Sequence, residues 1–371
     1  MKLAVIVGTR PEIIKMAPVI RACERAGVDF FIIHTGQHYS PKMDVVFFDE
    51  LSLPAPKYNL GIGNQPHRKQ VGLMVKEITK AYKTEKPDIV VVEGDTISVL
   101  SGSLAAKNLG IKIAHHEAGL RSHDPSMIEE TNRVTTDHIS DFLFAPTQEA
   151  ENNLIEEGCD RNRIHVTGNT IVDAVLDNKK IADQKSCILK KLGLESKKYF
   201  LFTAHRSETV DKKETCLLLI DCLKKINIEF PEYRIVYPVH PRTEKMIERF
   251  GLKIPQEILT TEPFPYLDFL CLESNARLII TDSGGIQEEA CVIKVPCVTI
   301  RKNTERPETV SGGMNVLTGL DEHKLAGAVR EMLNKEIVWS NPFGDYGVGE
   351  RIVSLLRQSF NNLKNNENLY E

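Results

Sequence analysis

Eight cysteines are present (Cys23, Cys159, Cys187, Cys216, Cys222, Cys271, Cys291, Cys297), yet none forms a Cys-x-x-Cys pair or a metal-ligand spacing. That excludes a disulfide framework and a zinc ribbon, and leaves small buried or incidental thiols of a reducing compartment. No apolar run approaches the ~20 residues needed to cross a bilayer. Charge of one sign is also missing: 47 Lys and Arg stand against 51 Asp and Glu, for a net charge of −4. The basic residues are spread along the chain, without the footprint of a nucleic-acid surface or a polybasic membrane patch. Met1–Val7 is too short for a signal peptide and runs straight into Gly-Thr-Arg, so it reads as a first strand. No internal repeat stands out. A soluble, cytoplasmic protein with no nucleic-acid and no membrane partner is expected.

What is present is alternation. At 371 residues the chain exceeds one ordinary core, so two domains are expected. Short β-branched runs fall at Leu3–Val7, Phe30–His34, Ile89–Val92, Lys112–His115, Phe142–Phe144 and Ile164–Val166. A second set falls at Tyr199–Thr203, Arg234–Val239, Glu257–Thr261, Leu278–Thr281 and Val295–Ile300. Longer amphipathic stretches separate them, which predicts an α/β fold of parallel sheets covered on both faces. The lysine-rich segment Asn178–Lys198 lies between the sets, and a hinge is predicted at about 168–175. Two Rossmann-like domains follow, 1–170 and 171–349, facing each other across a cleft, with ligands at the carboxyl ends of the strands. Ile352–Leu356 has helical spacing and predicts a closing helix, whereas the Asn-rich tail Asn361–Glu371 is expected to fray.

Several strand ends carry chemistry. Residues 281–289, Thr-Asp-Ser-Gly-Gly-Ile-Gln-Glu-Glu, follow an apolar run and open a helix. That order aims backbone N–H groups and the positive end of a helix dipole at one spot, as a phosphate requires. Ser283 adds a hydroxyl, and Glu288 and Glu289 can reach sugar hydroxyls; a tight turn without ligand is the competing reading. Gly8-Thr9-Arg10-Pro11-Glu12 ends the first strand. A capping box explains Thr9 and Glu12, and proline suits a helix start. It does not explain Arg10 and Lys15, two cations where the dipole disfavours them, and these point to an anion. Asp95, Glu117 and the Glu129-Glu130 pair also stand at strand ends or a helix start. They suit helix capping or acid–base work, and the absence of Asp-x-Asp favours protons over a metal. His205-Arg206 ends another strand, where it suits a phosphate or is simply an exposed pair; His240 repeats the pattern. His34, His115, His116 and His165 sit in or beside apolar strands and read as satisfied structural groups.

In this order, GTRPEIIK (8–15), GQH (36–38), Gly94-Asp95, EAGLRS (117–122), EETNR (129–133), GNT (168–170), His205-Arg206, TDSGGIQEEA (281–290) and TERPE (304–308) resemble the non-hydrolysing UDP-N-acetylglucosamine 2-epimerases. The resemblance implies the GT-B architecture of two Rossmann-like domains, with a C-terminal helix of about 350–371 returning to the N-terminal domain, and a homodimer. It implies a UDP-sugar substrate and no cofactor or metal. Ser283, Gly284 and Gly285 would hold the diphosphate, Glu289 the ribose, and Phe269 the uracil, with Phe264 beside it. Arg10, Lys15, His205, Arg206 and Arg306 would complete the nucleotide site. Asp95, Glu117 and Glu129, with His205, would be the catalytic groups. Gln37, Arg206 and His240 would fit a second, activating nucleotide-sugar site. The sequence departs from the family at Ile128, Thr209, Phe264 and Ser40.

The implied chemistry is reversible conversion of UDP-GlcNAc to UDP-ManNAc. UDP leaves C1 as the C2 proton is removed, and adds back to a 2-acetamidoglucal after protonation on the other face. Donors at Ser283–Gly285 and His205 would stabilise the departing diphosphate, each worth about 3 kcal/mol. Two proton events on opposite faces need more than one carboxylate. The alternatives are a GT-B glycosyltransferase, a nucleotide-sugar sensor, a hydrolysing relative, and an epimerase of a UDP-acetamido-uronic acid.

Overall fold

A computed structural model describes residues 1–37, 47–65, 67–125 and 127–367, and all of their side chains except those of 64, 67, 68 and 363–367. Two compact units result: Met1–Ala174 with Phe343–Glu371, and Val175–Pro342.

In the first unit, β1 (Lys2–Val7), β2 (Asp29–His34), β3 (Tyr58–Asn59), β4 (Ile89–Glu93), β5 (Lys112–His116), β6 (Phe142–Ala145) and β7 (Ile164–Val166) form a parallel sheet in the order β3-β2-β1-β4-β5-β6-β7. In the second, β8 (Tyr199–Thr203), β9 (Arg234–Pro238), β10 (Leu259–Thr261), β11 (Leu278–Thr281), β12 (Cys297–Thr299) and β13 (Asn315–Leu317) are parallel in the order β10-β9-β8-β11-β12-β13. Both orders reverse beside the first strand of the unit, β1 or β8, and the crevice at such a reversal is where open sheets take ligands. Each is a Rossmann-like domain. The strands expected from hydrophobic runs are all present. The additional ones, β3 and β13, are edge strands of two and three residues.

Burial on both faces explains the strand sequences. In β8, Phe200 and Phe202 pack with Tyr237 and Ile280 on one face, while Tyr199 and Leu201 pack with Val236 and Ile279 on the other. Each fully buried aromatic or aliphatic side chain contributes about 1.5–3 kcal/mol. Among the described residues, no helix is long and apolar enough to cross a membrane.

The C-terminal helix, Val348–Glu367, belongs to the first unit and packs on the helix Arg10–Arg25. Contact is close because Gly349 has no side chain: a Cβ there would lie 2.6 Å from the carbonyl oxygen of Pro18. The N–H groups of Gly347 and Gly349 donate to the Asp173 carboxylate at 2.7 and 2.9 Å. Nearby, the Asn169 N–H donates to the Phe343 carbonyl at 2.9 Å. At Gly168 (φ +86°) a Cβ would meet that same carbonyl at 2.7 Å. The Gly-Asn-Thr motif is thus also the docking point of the returning chain. The polar stretch from Asn361 does not fray at once: helix continues to Glu367, because extending an anchored helix costs far less than nucleating one. Residues 368–371 of that tail lie outside the described residues.

Candidate active site

The first unit gathers acidic groups at the carboxyl ends of β1, β4 and β5. Thr9 caps the helix Arg10–Arg25 with a capping box, and Glu12 receives the N–H of Thr9 at 3.0 Å, that of Gly8, and the Thr96 hydroxyl. Burial raises Glu12 to about 7, against the pull of those donors. One turn on, Lys15 is buried and turns inward, pairing with the Glu117 carboxylate and lying 3.7 Å from Glu93. Asn169 donates to the same Glu117 oxygen at 2.6 Å. The cation that the helix dipole disfavours is therefore answered by buried carboxyl groups of this unit.

Glu117 sits at φ +65°, a left-handed conformation unusual for a residue with a side chain. The loop around it is held from behind. His115 bridges Asp137 (2.7 Å) and the Gly94 carbonyl (2.8 Å), and Asp137 also takes Arg121 (2.7 Å) and the Gly119 N–H (3.1 Å). Burial lowers His116 to about 4, so it is neutral at pH 7, and its Nε2 meets the Thr170 hydroxyl at 2.9 Å. His115 is a satisfied structural group, as expected; His116 is bonded through Nε2 alone, and its buried Nδ1 has no hydrogen-bond partner among the described residues.

Asp95 is half-buried and pairs with Arg133, whose helix also sends Asn132 to the Asp95 carbonyl at 2.9 Å. The Glu129-Glu130 pair divides its labour. Glu130 is buried and accepts from the Ser122 N–H and hydroxyl, the His123 N–H (each 3.0 Å) and Arg133 (2.7 Å). Glu129 is exposed. Arg10 lies over the Phe47 ring at 5.0 Å. Gln37 accepts from the Ser98 N–H (3.1 Å) and hydroxyl (2.7 Å). His38 and Ser40 lie outside the described residues.

The second unit offers a different surface. Ser283 stands at the cap position of the helix Gly284–Val292 without its side chain capping any N–H. Below it the Thr203 and Thr281 hydroxyls meet at 2.7 Å, and Thr281 takes the Ser283 N–H at 2.9 Å. A Cβ on Gly284 would press on the Arg306 guanidinium at 3.4 Å, whereas the nearest atom to one on Gly285 is Ser283 Oγ, at 4.0 Å. Arg306 is fixed by Glu288 at 2.7 Å. Gln287 ties the Thr304 hydroxyl (2.7 Å) and Asn315 (3.1 Å) to the same helix. The spaced motifs 281–290 and 304–308 are thereby one structure.

Asp282 is fully buried and accepts the N–H groups of His205 (2.9 Å) and Arg206 (2.8 Å), with the His205 ring 3.2 Å away. Burial alone would raise its carboxyl; His205 and the two N–H groups outweigh that and hold it below its usual range. Glu305 is clasped by Arg301 at 2.9 Å through both oxygens, with Arg206 and Arg306 each at 3.7 Å. His240 lies beside the His205 ring, 5.1 Å between centroids, and caps its own helix through Arg242 N–H at 3.1 Å. Glu289 is buried and receives the Tyr266 hydroxyl at 3.3 Å. Phe264 and Phe269 are half-buried against the core beneath.

Three residues with a part in these sites were not candidates from sequence. Asp282 and Glu305 lie inside motifs already singled out, and Glu93 directly precedes Gly94-Asp95. For Glu93 and Asp282 the missed signal is a carboxylate closing an apolar strand, where burial demands a partner; Glu305 lies in the loop after β12 and has no such signal.

The fold and the strand-end sites define a class: an α/β protein of GT-B architecture, two Rossmann-like domains, as in the solved structures it matches. A family model described as UDP-N-acetylglucosamine 2-epimerase matches residues 21–357. The chain is 54% identical over 362 residues to the UDP-N-acetylglucosamine 2-epimerase of Methanocaldococcus jannaschii, covering 96% of this chain and 99% of that one. It superposes with a TM-score of 0.91 on a crystal structure of the M. jannaschii UDP-GlcNAc 2-epimerase in complex with UDP-GlcNAc and UDP, at 54% identity, covering 96% of this chain and 100% of that one. A Pseudomonas aeruginosa UDP-2,3-diacetamido-2,3-dideoxy-D-glucuronate 2-epimerase is 39% identical over 91% of this chain and 94% of its own. The chain belongs to the UDP-N-acetylglucosamine 2-epimerase family.

Proposed function

We propose that this protein interconverts UDP-GlcNAc and UDP-ManNAc by eliminating UDP and adding it back. The observation that carries the reading is the near full-length 54% identity to a relative of that name, crystallised with UDP-GlcNAc and UDP. The local geometry supports it. The helix start at Ser283–Gly285, with Arg306 against Gly284, is a preorganised set of donors for the diphosphate. As the C1–O bond breaks, negative charge grows on the leaving UDP, and His205, held by Asp282, is poised to donate to it. A carboxylate of the first unit takes the C2 proton as UDP leaves, giving 2-acetamidoglucal. Return of UDP to C1 and of a proton to C2 on the opposite face completes the epimerisation. Glu117, fixed by Lys15 and Asn169, and Asp95, held by Arg133, are the residues we assign to the proton steps, with Glu129 as the third carboxylate. Glu289 takes the ribose diol, and Phe269 and Phe264 the uracil. We read the protein as a cytoplasmic homodimer; a monomeric mass by light scattering would remove the second part of that statement.

The direct test is incubation with UDP-GlcNAc in D₂O, followed by NMR. Deuterium at C2 of a UDP-linked ManNAc is the expected result. Free ManNAc would mean hydrolysis, and no exchange would end the reading for this sugar. The diacetamido-uronate epimerase relative makes a UDP-acetamido-uronic acid the second substrate to try.

A further inference from the structure

Glu93 ends β4, whose other four residues are Ile-Val-Val-Val, and its side chain is 3% exposed. The parallel register sets it beside His116 of β5, one residue before Glu117. Lys15 reaches both carboxyl groups, so Glu93 and Glu117 flank the same ammonium group. One lysine balances one carboxylate. Two ionised carboxylates flanking it, almost without water, would leave an uncompensated buried charge, which is costly. Among the described residues, the contacts around Glu93 bring no second cation beside Lys15. From the helix Arg10–Arg25 comes Glu12, which is itself acidic. From β5, His116 is neutral at pH 7, and His115 is turned to Asp137 and the Gly94 carbonyl. Asp95, next along the chain, is engaged by Arg133.

We propose that Glu93 is a positioning residue that shares one proton with Glu117, donating a hydrogen bond that fixes the carboxylate used in epimerisation. This rests on the epimerase reading of the same site. With one proton between them and one lysinium beside them the cluster is neutral. Glu117 is then ionised and held from three sides, by Lys15, Asn169 and Glu93. Burial, and then the neighbouring Glu117, push Glu93 well above the usual carboxylate range, in keeping with that arrangement. The two groups titrate as a pair, so the one-proton form has an acid limit and an alkaline limit. Loss of the shared proton on the alkaline side places two negative charges side by side and disturbs Glu117.

Three proteins test this: wild type, Glu93→Gln and Glu93→Met. Glutamine keeps a donor but cannot ionise, and methionine fills the space without donating. Glu93→Gln is expected to keep kcat within about threefold of wild type at neutral pH and to lose the alkaline limb of kcat/KM that the pair imposes. Glu93→Met is expected to lower kcat at least about tenfold with KM little changed. UDP binding, measured by calorimetry, reports on folding, and should match wild type in both. An alkaline limb unchanged in folded Glu93→Gln overturns the proposal, as does a kcat in Glu93→Gln as low as in Glu93→Met. If Glu93→Met does not fold, the pH profile of Glu93→Gln decides alone. Absence of C2 exchange in the wild type would instead overturn the epimerase reading, so the two failures are distinguishable.

Discussion

At the end of β5, Lys15 is enclosed by two buried carboxyl groups that compete for it; at the end of β11, a single buried carboxylate, Asp282, collects two backbone N–H groups and a histidine. Both are charged groups away from water, yet the balance differs in sign. Around Lys15 acceptors are in excess, and protons are retained on Glu12 and Glu93. Around Asp282 and Glu305 donors are in excess, and both carboxyls are held below their ordinary range although burial opposes it. The first environment suits gaining and losing protons, and the second suits holding an anion. Related Rossmann-like scaffolds reach these two ends by which residue type closes each strand.

The strongest way to break that contrast is to exchange the readouts. Glu117→Gln keeps the shape and removes the proposed base. It should lower turnover and C2 deuterium exchange about 10²- to 10⁴-fold, with UDP affinity within about threefold by calorimetry. Comparable loss of UDP affinity would make Glu117 a binding group and erase the division between the two ends.

Acid–base linkage gives a second comparison, on stability. Glu12 is raised from an ordinary 4.5 to about 7, so between those values the folded protein holds a proton that the unfolded chain has released. Stability from this group is complete below pH 4.5 and is lost as pH rises towards 7. At about 1.4 kcal/mol per pH unit the change is about 3 kcal/mol. Relative to wild type, Glu12→Gln should therefore gain stability steadily from pH 4.5 to 7 in denaturant titrations. Asp282 has the opposite sign: its folded-state value is lowered, so its contribution is present above the unfolded value and disappears as pH falls through the folded one. Asp282→Asn should be less stable than wild type at neutral pH, and the gap should close in acid. Parallel curves for the two variants would show that the environments do not differ as described.

Much of this was legible beforehand, for identifiable reasons. Strands such as Ile-Val-Val-Val and Phe-Leu-Phe are buried on both faces, so their composition alone marks them. β3 and β13, edge strands that pair through two or three residues, were not among the strands expected from the sequence. Thr9 with Glu12 announced its capping box because the interaction is local. The sequence alone points Lys15 at an anion; its carboxyl partners Glu93 and Glu117 lie about eighty and a hundred residues away in sequence, and contact at that separation has no local signature. Glu129 and Glu130 are adjacent and alike in sequence, and only tertiary hydrogen bonds from Ser122, His123 and Arg133 separate the buried cap from the exposed carboxylate.

The smallest expected effect bears on the second end and asks whether the Ser-Gly-Gly turn is a phosphate site or merely a turn. Among the described residues, a Cβ on Gly285 meets nothing closer than Ser283 Oγ at 4.0 Å, and the residue lies in the first turn of a helix without positive φ. For the protein alone, Gly285→Ala is therefore permitted. It should even stabilise the fold slightly, by about 0.4–1 kcal/mol, because alanine loses less backbone freedom on folding. A diphosphate seated on the helix start would occupy the space into which that methyl group projects. The substitution should then weaken UDP binding about tenfold while the melting temperature of the ligand-free protein stays level or rises. A ligand-free turn would show the gain in stability with no change in UDP affinity. Because the two readouts move in opposite directions, a general loss of structure cannot imitate the result.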